Sequence, residues 1–158
     1  MLFRSTAPNG RARVVLPVGI AGTGVYLPER VVDNAEIIQG LDTTEAWIRS
    51  RTGIEERRFS DAAETTSAMS LHAARQALAR AGVEPSELDA VIISSITGDQ
   101  PLPSTAVIVA HELGATRAWP IDLTQAACAG GVHAILLGAQ LLHSGTARTV
   151  LVIGADCM

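Results

Sequence analysis

No lysine occurs among the 158 residues, so all 12 basic side chains are arginines. That usage reads as a coding bias, not a physical device. Aromatic residues are also scarce, at 3% against 47% hydrophobic residues overall, so the core must be built from Ala, Val, Ile and Leu. Basic clusters are missing and the formal net charge is −4. That balance argues against nucleic-acid binding, which shows as a basic stripe or patch. Only Cys128 and Cys157 are present, too few for a disulfide framework. Both thiols are expected to be free in a reducing cytoplasmic setting. No apolar run reaches the roughly 18 residues that span a bilayer. The opening Met1-Leu2-Phe3-Arg4-Ser5 lacks a charged start followed by an apolar run, so neither a signal peptide nor a membrane association is expected. Charged residues make up 18%, and with so much apolar content disorder is excluded.

What is present has the rhythm of an α/β fold. Residues 1–16 carry Pro8, Asn9, Gly10, Arg11 and Arg13 without periodicity and read as an N-terminal arm. From residue 17 onward, Val18–Gly24 reads as a short strand of small residues. Asp33-Asn34-Ala35-Glu36 and Asp42-Thr43-Thr44-Glu45 have capping-box spacing, and each should open a helix. The second runs through Trp47-Ile48-Arg49-Ser50-Arg51 and breaks at Thr52-Gly53. A longer helix starts near Asp61–Thr66, buries Leu71, Ala74, Leu78 and Ala81 on one face, and ends at Gly82. Val91–Ser95 reads as a buried strand. A helix follows, capped by Ser104 and running to Gly114, and then a proline-weakened strand over 118–123. Alternating strands and helices predict mostly parallel pairing.

The stretch 129–144 is the most informative. Val132, Ile135, Leu136, Ala139 and Leu142 make one apolar face; Ala134, Leu137, Gly138 and Leu141 make the opposite side apolar too. A helix apolar all round is buried all round. One layer is the sheet that Thr149–Ala155 completes as a continuous apolar strand. The other layer must come from elsewhere.

Cys128 is the sharpest candidate for chemistry. It lies in Gln125-Ala126-Ala127-Cys128-Ala129-Gly130-Gly131, a strand-to-helix junction with only small residues beside the thiol. The start of a helix favours a thiolate over a thiol, and its unpaired N–H groups suit a developing oxyanion. A buried cysteine used as a small apolar filler is the alternative. His72, His111, His133 and His143 offer no convincing base: the first two sit on amphipathic helices, His133 is on a poorly matched face, and His143 closes its helix. Cys157 follows a buried strand and reads as structural. Trp47 and Arg51, at i and i+4, share a helix face that could hold a planar ring and a phosphate, or could simply pack a tryptophan on the surface.

Taken together, three segments resemble β-ketoacyl-acyl carrier protein synthase III of the thiolase superfamily. Gly22-Thr23-Gly24-Val25-Tyr26-Leu27-Pro28 is similar to the family's opening strand and loop. Trp47-Ile48 with Arg51-Thr52-Gly53-Ile54 and Arg57-Arg58 is similar to its W-I-x-x-R-T-G-I-x-x-R-R stretch. Gln125–Gly130 is similar to its active-cysteine motif. The resemblance runs from about residue 17 to the end. It implies a thiolase-like fold of α-β-α-β-α layers, with residues 17–158 as the N-terminal half and a mostly parallel mixed sheet.

The resemblance also implies an enzyme that takes an acyl group from acyl-CoA onto Cys128 and condenses it with malonyl-acyl carrier protein, in fatty-acid or polyketide biosynthesis. Trp47, Arg51 and Thr43 match residues that contact CoA. No metal and no permanently bound cofactor is implied; acyl-CoA is a substrate. Two other outcomes fit: transfer of the acyl group to a hydroxyl or amine, or a non-catalytic partner of a heteromeric ketosynthase. The family's catalytic His and Asn belong to its second half, which has no counterpart here, so a second chain or a cleaved remainder is expected to supply it. A homodimer of complete protomers is also implied. Gly131 stands where a bulky residue is common, and Leu102 where an aromatic often lines the pocket. Both departures point to a primer larger than acetyl.

Overall fold

The computed structural model describes residues 18–157. The expected arm over residues 1–16 lies outside the described residues. In chain order the elements are β1 (Arg30–Asp33), α1 (Asn34–Ile37), α2 (Glu45–Thr52), β2 (Glu56–Phe59), α3 (Thr66–Ala81), β3 (Ala90–Ser94), α4 (Thr105–Leu113), β4 (Trp119–Leu123), α5 (Gly130–His143) and β5 (Val150–Gly154). Local chemistry sets most of these boundaries. Asp33 accepts from Glu36 N at 2.8 Å, Thr44 Oγ1 from Trp47 N at 3.2 Å and Thr65 Oγ1 from Ala68 N at 3.3 Å, so α1, α2 and α3 each start on a side-chain cap. Gly53 (φ 70°) and Gly82 (φ 64°) end α2 and α3 in the left-handed conformation. Asp61 and Glu64 do not cap α3. They close a turn of their own, with Asp61 N donating to Glu64 Oε2 at 2.8 Å.

Three strands form one parallel sheet in the order β4-β3-β5. The central strand β3 is buried over all five residues, as its unbroken apolar run predicts. Its alternate side chains face two different layers. Val91 and Ile93 join Leu151 and Ile153 of β5 against Ala74 and Leu78 of α3 and Ala106, Val109 and Ala110 of α4. On the other face α5 lies close, because Gly130, Ala134 and Gly138 recur every four residues along its buried side. A Cβ at Gly138 would stand 3.2 Å from Val152 Cγ2, 3.4 Å from Val150 Cγ1 and 3.7 Å from Ile92 Cδ1. The outer side of α5 is different. Val132, Ile135 and Leu136 are exposed, with Ile135 at 62%. The two-faced apolar helix therefore has one face on the sheet and one uncovered by the described residues. Among the described residues β4 pairs only with β3, and it tolerates Pro120 as an edge strand would.

Asp89 fastens the leading ends of the three strands. Its side chain accepts from Arg148 N at 2.8 Å and Thr149 N at 3.2 Å, and its backbone C=O accepts from Trp119 N at 2.9 Å. The two N–H groups, helped by the Arg117 guanidinium at 3.3 Å, hold the Asp89 carboxyl below its ordinary value. No helix among the described residues is long and apolar enough to cross a membrane.

One expectation needs correction, and one element was not expected. Val18–Gly24 forms no ladder among the described residues. The segment instead lies against α3: a Cβ at Gly24 would stand 2.8 Å from Ala77 N, and Arg80 donates to Thr23 O at 2.8 Å. Its glycines serve close approach to a helix, not strand pairing. Conversely, β1 and β2 pair antiparallel as a separate two-stranded sheet, which the sequence pattern does not announce. The three-stranded sheet is wholly parallel, and the antiparallel component stands apart from it.

Candidate active site

The carboxyl ends of parallel strands are where an α/β sheet opens its loops for chemistry. Here β4 ends at Leu123, and the chain reaches Cys128 through a single 3-10 turn, Ala127–Ala129, before α5 begins. Ala127 has φ 42°, a left-handed conformation costly for a residue with a Cβ. Cys128, the next residue, is exposed among the described residues. No side chain caps α5. Ala129 N and Gly130 N donate to Ala126 O and Ala127 O within the turn, so any N–H left for an oxyanion lies beyond Gly130 or at Cys128 itself. Among the described residues no imidazole or carboxylate is hydrogen-bonded to Cys128.

The histidines lie elsewhere. His72 stacks on Tyr26, with centroids 4.9 Å apart and planes inclined by 21°. Tyr26 in turn donates to Glu64 Oε1 at 2.5 Å. That hydrogen bond to a carboxylate, with smaller contributions from desolvation and from Glu29 and Asp61, raises the phenol above its ordinary value. His133 is exposed on α5, His111 is exposed on α4, and His143 closes α5.

Trp47 and Arg51 do share the exposed surface of α2, with Trp47 56% exposed. Their helix is held by buried Ile48 and by Asn34, which donates to Ile54 O at 2.8 Å. Among the described residues no carboxylate pairs with Arg51. Thr43 sits just before the helix, and its N–H donates to Leu41 O at 3.0 Å. Among the described residues no hydrogen bond or ion pair links α2 to the Cys128 turn. Leu102, on the β3–α4 loop, is 84% exposed. A Cβ at Gly131 would meet nothing within 4 Å among the described residues, so open space lies beside the Cys128 turn. Two concavities among the described residues lie elsewhere, one around Tyr26, Arg30, Phe59 and Glu64, the other around Tyr26, Arg58, Met69 and Cys157. Cys157 is half-buried with its sulfur 2.9 Å from Ser60 Oγ.

Sequence reasoning misplaced one cap and missed the group that replaces it. Ser104 has the backbone of an N-cap residue, φ −69° and ψ 162°, but makes no side-chain cap to α4. Its hydroxyl donates to Asp122 Oδ2 at 2.5 Å, and Asp122 accepts from Ala106 N at 3.1 and 3.2 Å. The only sequence signal was a carboxylate inside an otherwise apolar strand.

Comparison with known proteins gives the same bearing. The family described as Thiolase, N-terminal domain matches residues 48–158. The chain is similar to a β-ketoacyl-[acyl-carrier-protein] synthase III of Roseobacter denitrificans, at 47% identity over 137 residues, covering 87% of this chain and 42% of that protein. Among solved structures it is similar to 3-oxoacyl-[acyl-carrier-protein] synthase III from Aquifex aeolicus, with a TM-score of 0.83 at 42% identity, covering 87% of this chain and 44% of that one. It is also similar to the priming β-ketosynthase of the R1128 polyketide pathway, with a TM-score of 0.86 at 42% identity, covering 96% of this chain and 45% of that one. The chain therefore spans less than half the length of the relatives it matches.

Proposed function

This chain belongs to the thiolase family, of which it carries the N-terminal domain over residues 48–158, and from that premise we propose that it is the acyl-accepting part of a type III β-ketoacyl synthase. The observation that carries the reading is Cys128, exposed on a strained turn at the start of a 14-residue helix. The thiolate attacks the thioester carbonyl of acyl-CoA, and CoA leaves as its thiolate. The N–H groups at the start of α5 face the charge that develops on the carbonyl oxygen. Decarboxylation of malonyl-acyl carrier protein then supplies the carbanion that attacks the acyl-cysteine. A carbon–carbon bond forms, carbon dioxide is released, and the Cys128 thiolate is restored.

The other site residues take roles in the same proposal. Trp47 stacks on the adenine of CoA, while Arg51 meets a phosphate and Thr43 makes a neighbouring contact. Leu102 and Gly131 bound the acyl chain, and the space beside Gly131 suits a primer longer than acetyl. The histidine and asparagine for decarboxylation come from the remaining part of the protein. That part also covers Val132, Ile135 and Leu136 of α5. The complete protomers form a homodimer, and acyl carrier protein delivers the extender.

A condensation assay tests the reaction. The full protein is supplied with malonyl-acyl carrier protein and acyl-CoA primers of increasing length, and the β-ketoacyl product is measured with the carbon dioxide released. Product formation peaking with primers longer than acetyl is expected. Acyl transfer to a hydroxyl or amine without carbon dioxide release would contradict condensation, and strict acetyl preference would contradict the pocket assignment.

A further inference from the structure

We infer that Asp122 is a positioning residue, a carboxylate that fixes the loop bearing Leu102 against the strand leading to Cys128 and so tunes which acyl chain the nucleophile accepts. The inference rests on the proposed roles of Cys128 as acyl acceptor and Leu102 at the acyl chain, and adds a specificity device to them. An N-cap serine ordinarily spends its hydroxyl on its own helix. Ser104 instead donates to Asp122 Oδ2 at 2.5 Å, and the same carboxylate takes over the cap by accepting from Ala106 N at 3.1 and 3.2 Å. A local cap has become a bond between two elements. Asp122 sits on β4, the strand that runs directly into the Cys128 turn. Hydrogen bonds to a carboxylate are about twice as strong as neutral ones, so the link is stiff.

The other end of the same loop is anchored by the same kind of group. Asp156, just past β5, accepts from Ile96 N at 2.9 Å and from Ser95 Oγ and Thr97 Oγ1 at 3.2 Å. Asp99 accepts from Thr65 Oγ1 at 3.0 Å and Ser67 N at 3.1 Å at the start of α3. Between Asp99 and Ser104 no side chain makes a hydrogen bond among the described residues, and Leu102 stands there 84% exposed. Three carboxylates thus hold the base of a loop whose apex presents one apolar side chain. Asp122 is the only one of the three on the strand that feeds the nucleophile.

The test uses the full protein and a double-mutant cycle. Ser104→Ala removes the Ser104–Asp122 bond but leaves the cap on Ala106 N. Asp122→Asn is the conservative second variant. For each, kcat/KM for Cys128 acylation is measured with acetyl-CoA and octanoyl-CoA, alongside the rate of Cys128 alkylation by iodoacetamide. Ser104→Ala should change the octanoyl-to-acetyl ratio by about threefold or more, leave alkylation unchanged, and have no further effect on the ratio in a Leu102→Ala background. An unchanged ratio, or the same change with and without Leu102, overturns the inference and leaves Asp122 as a plain helix cap. Failure of the unmutated protein to acylate Cys128 with either substrate overturns the acyl-accepting reading together with this inference.

Discussion

Gly130→Ala puts a methyl group where α5 meets the sheet, two residues after Cys128. An ideal Cβ there overlaps Ser94 Oγ and comes to 3.2 Å from Ser94 Cβ and 3.6 Å from Ala126 Cβ. The neighbouring Gly131 has nothing within 4 Å. Alanine in a helix is favoured over glycine by about 0.5–1 kcal/mol. At Gly131 nothing among the described residues opposes that gain, so in this chain Gly131→Ala should raise stability by about that amount. At Gly130 overpacking opposes it with a cost of about 1–3 kcal/mol. Ser94 is buried on β3, which is paired on both sides, so its backbone cannot retreat. The expected net loss is about 1 kcal/mol, or roughly 3 °C in Tm for a protein of this size. Thermal unfolding of both variants gives opposite signs from adjacent positions. Ser94→Ala combined with Gly130→Ala should recover part of the loss, since it removes the overlapping oxygen. Equal stability of the two glycine variants, or a double variant no better than Gly130→Ala alone, would refute the packing described for the start of α5.

Other outcomes follow from the same geometry. Ala127→Val adds β-branching at φ 42°; it should cost about 1–3 kcal/mol and slow Cys128 alkylation, measured by denaturation and by mass. Trp47→Ala and Arg51→Ala should each raise KM for acyl-CoA about tenfold with kcat within about twofold, the mark of uniform binding lost. Asp89 has a folded-state pKa below its unfolded value of about 3.9. Its contribution is therefore complete above that value and is lost as pH falls through the lower folded value. Asp89→Ala should lower stability at neutral pH and flatten the decline seen below about pH 4, as followed by urea unfolding at stepped pH.

Helices were legible where their ends carry chemistry. Thr65, Gly53 and Gly82 mark ends of α2 and α3 in one dimension, and the structure places the boundaries there; α2 starts on Thr44, two residues after the cap position that the Asp42–Glu45 spacing suggested. The apolar run of β3 was equally plain, because burial on both faces leaves no polar alternation; α5 was legible as apolar all round, and one of its two faces lies uncovered by the described residues. The β1–β2 pair was not legible. Each strand has four residues, both are charged, and α1 and α2 intervene where a tight turn would have signalled a hairpin. Gly22 and Gly24 misled in the opposite sense, since small residues suit close approach to α3 as well as a strand. In the site, the place of Cys128 at a strand-to-helix junction was legible from Gln125–Gly131, between the apolar strand and the helix. The Asp122–Ser104 link did not, because its partners lie 18 residues apart and meet only when β4 and α4 pack.

The intact mass of the full protein after incubation with acyl-CoA, followed by peptide mapping, tests the central claim most directly. A mass increase equal to one acyl group, carried by the peptide containing Cys128, released by hydroxylamine and absent in Cys128→Ala, is the predicted result. No adduct, or an adduct that persists in Cys128→Ala, would contradict the assignment of Cys128 as the acyl-accepting nucleophile.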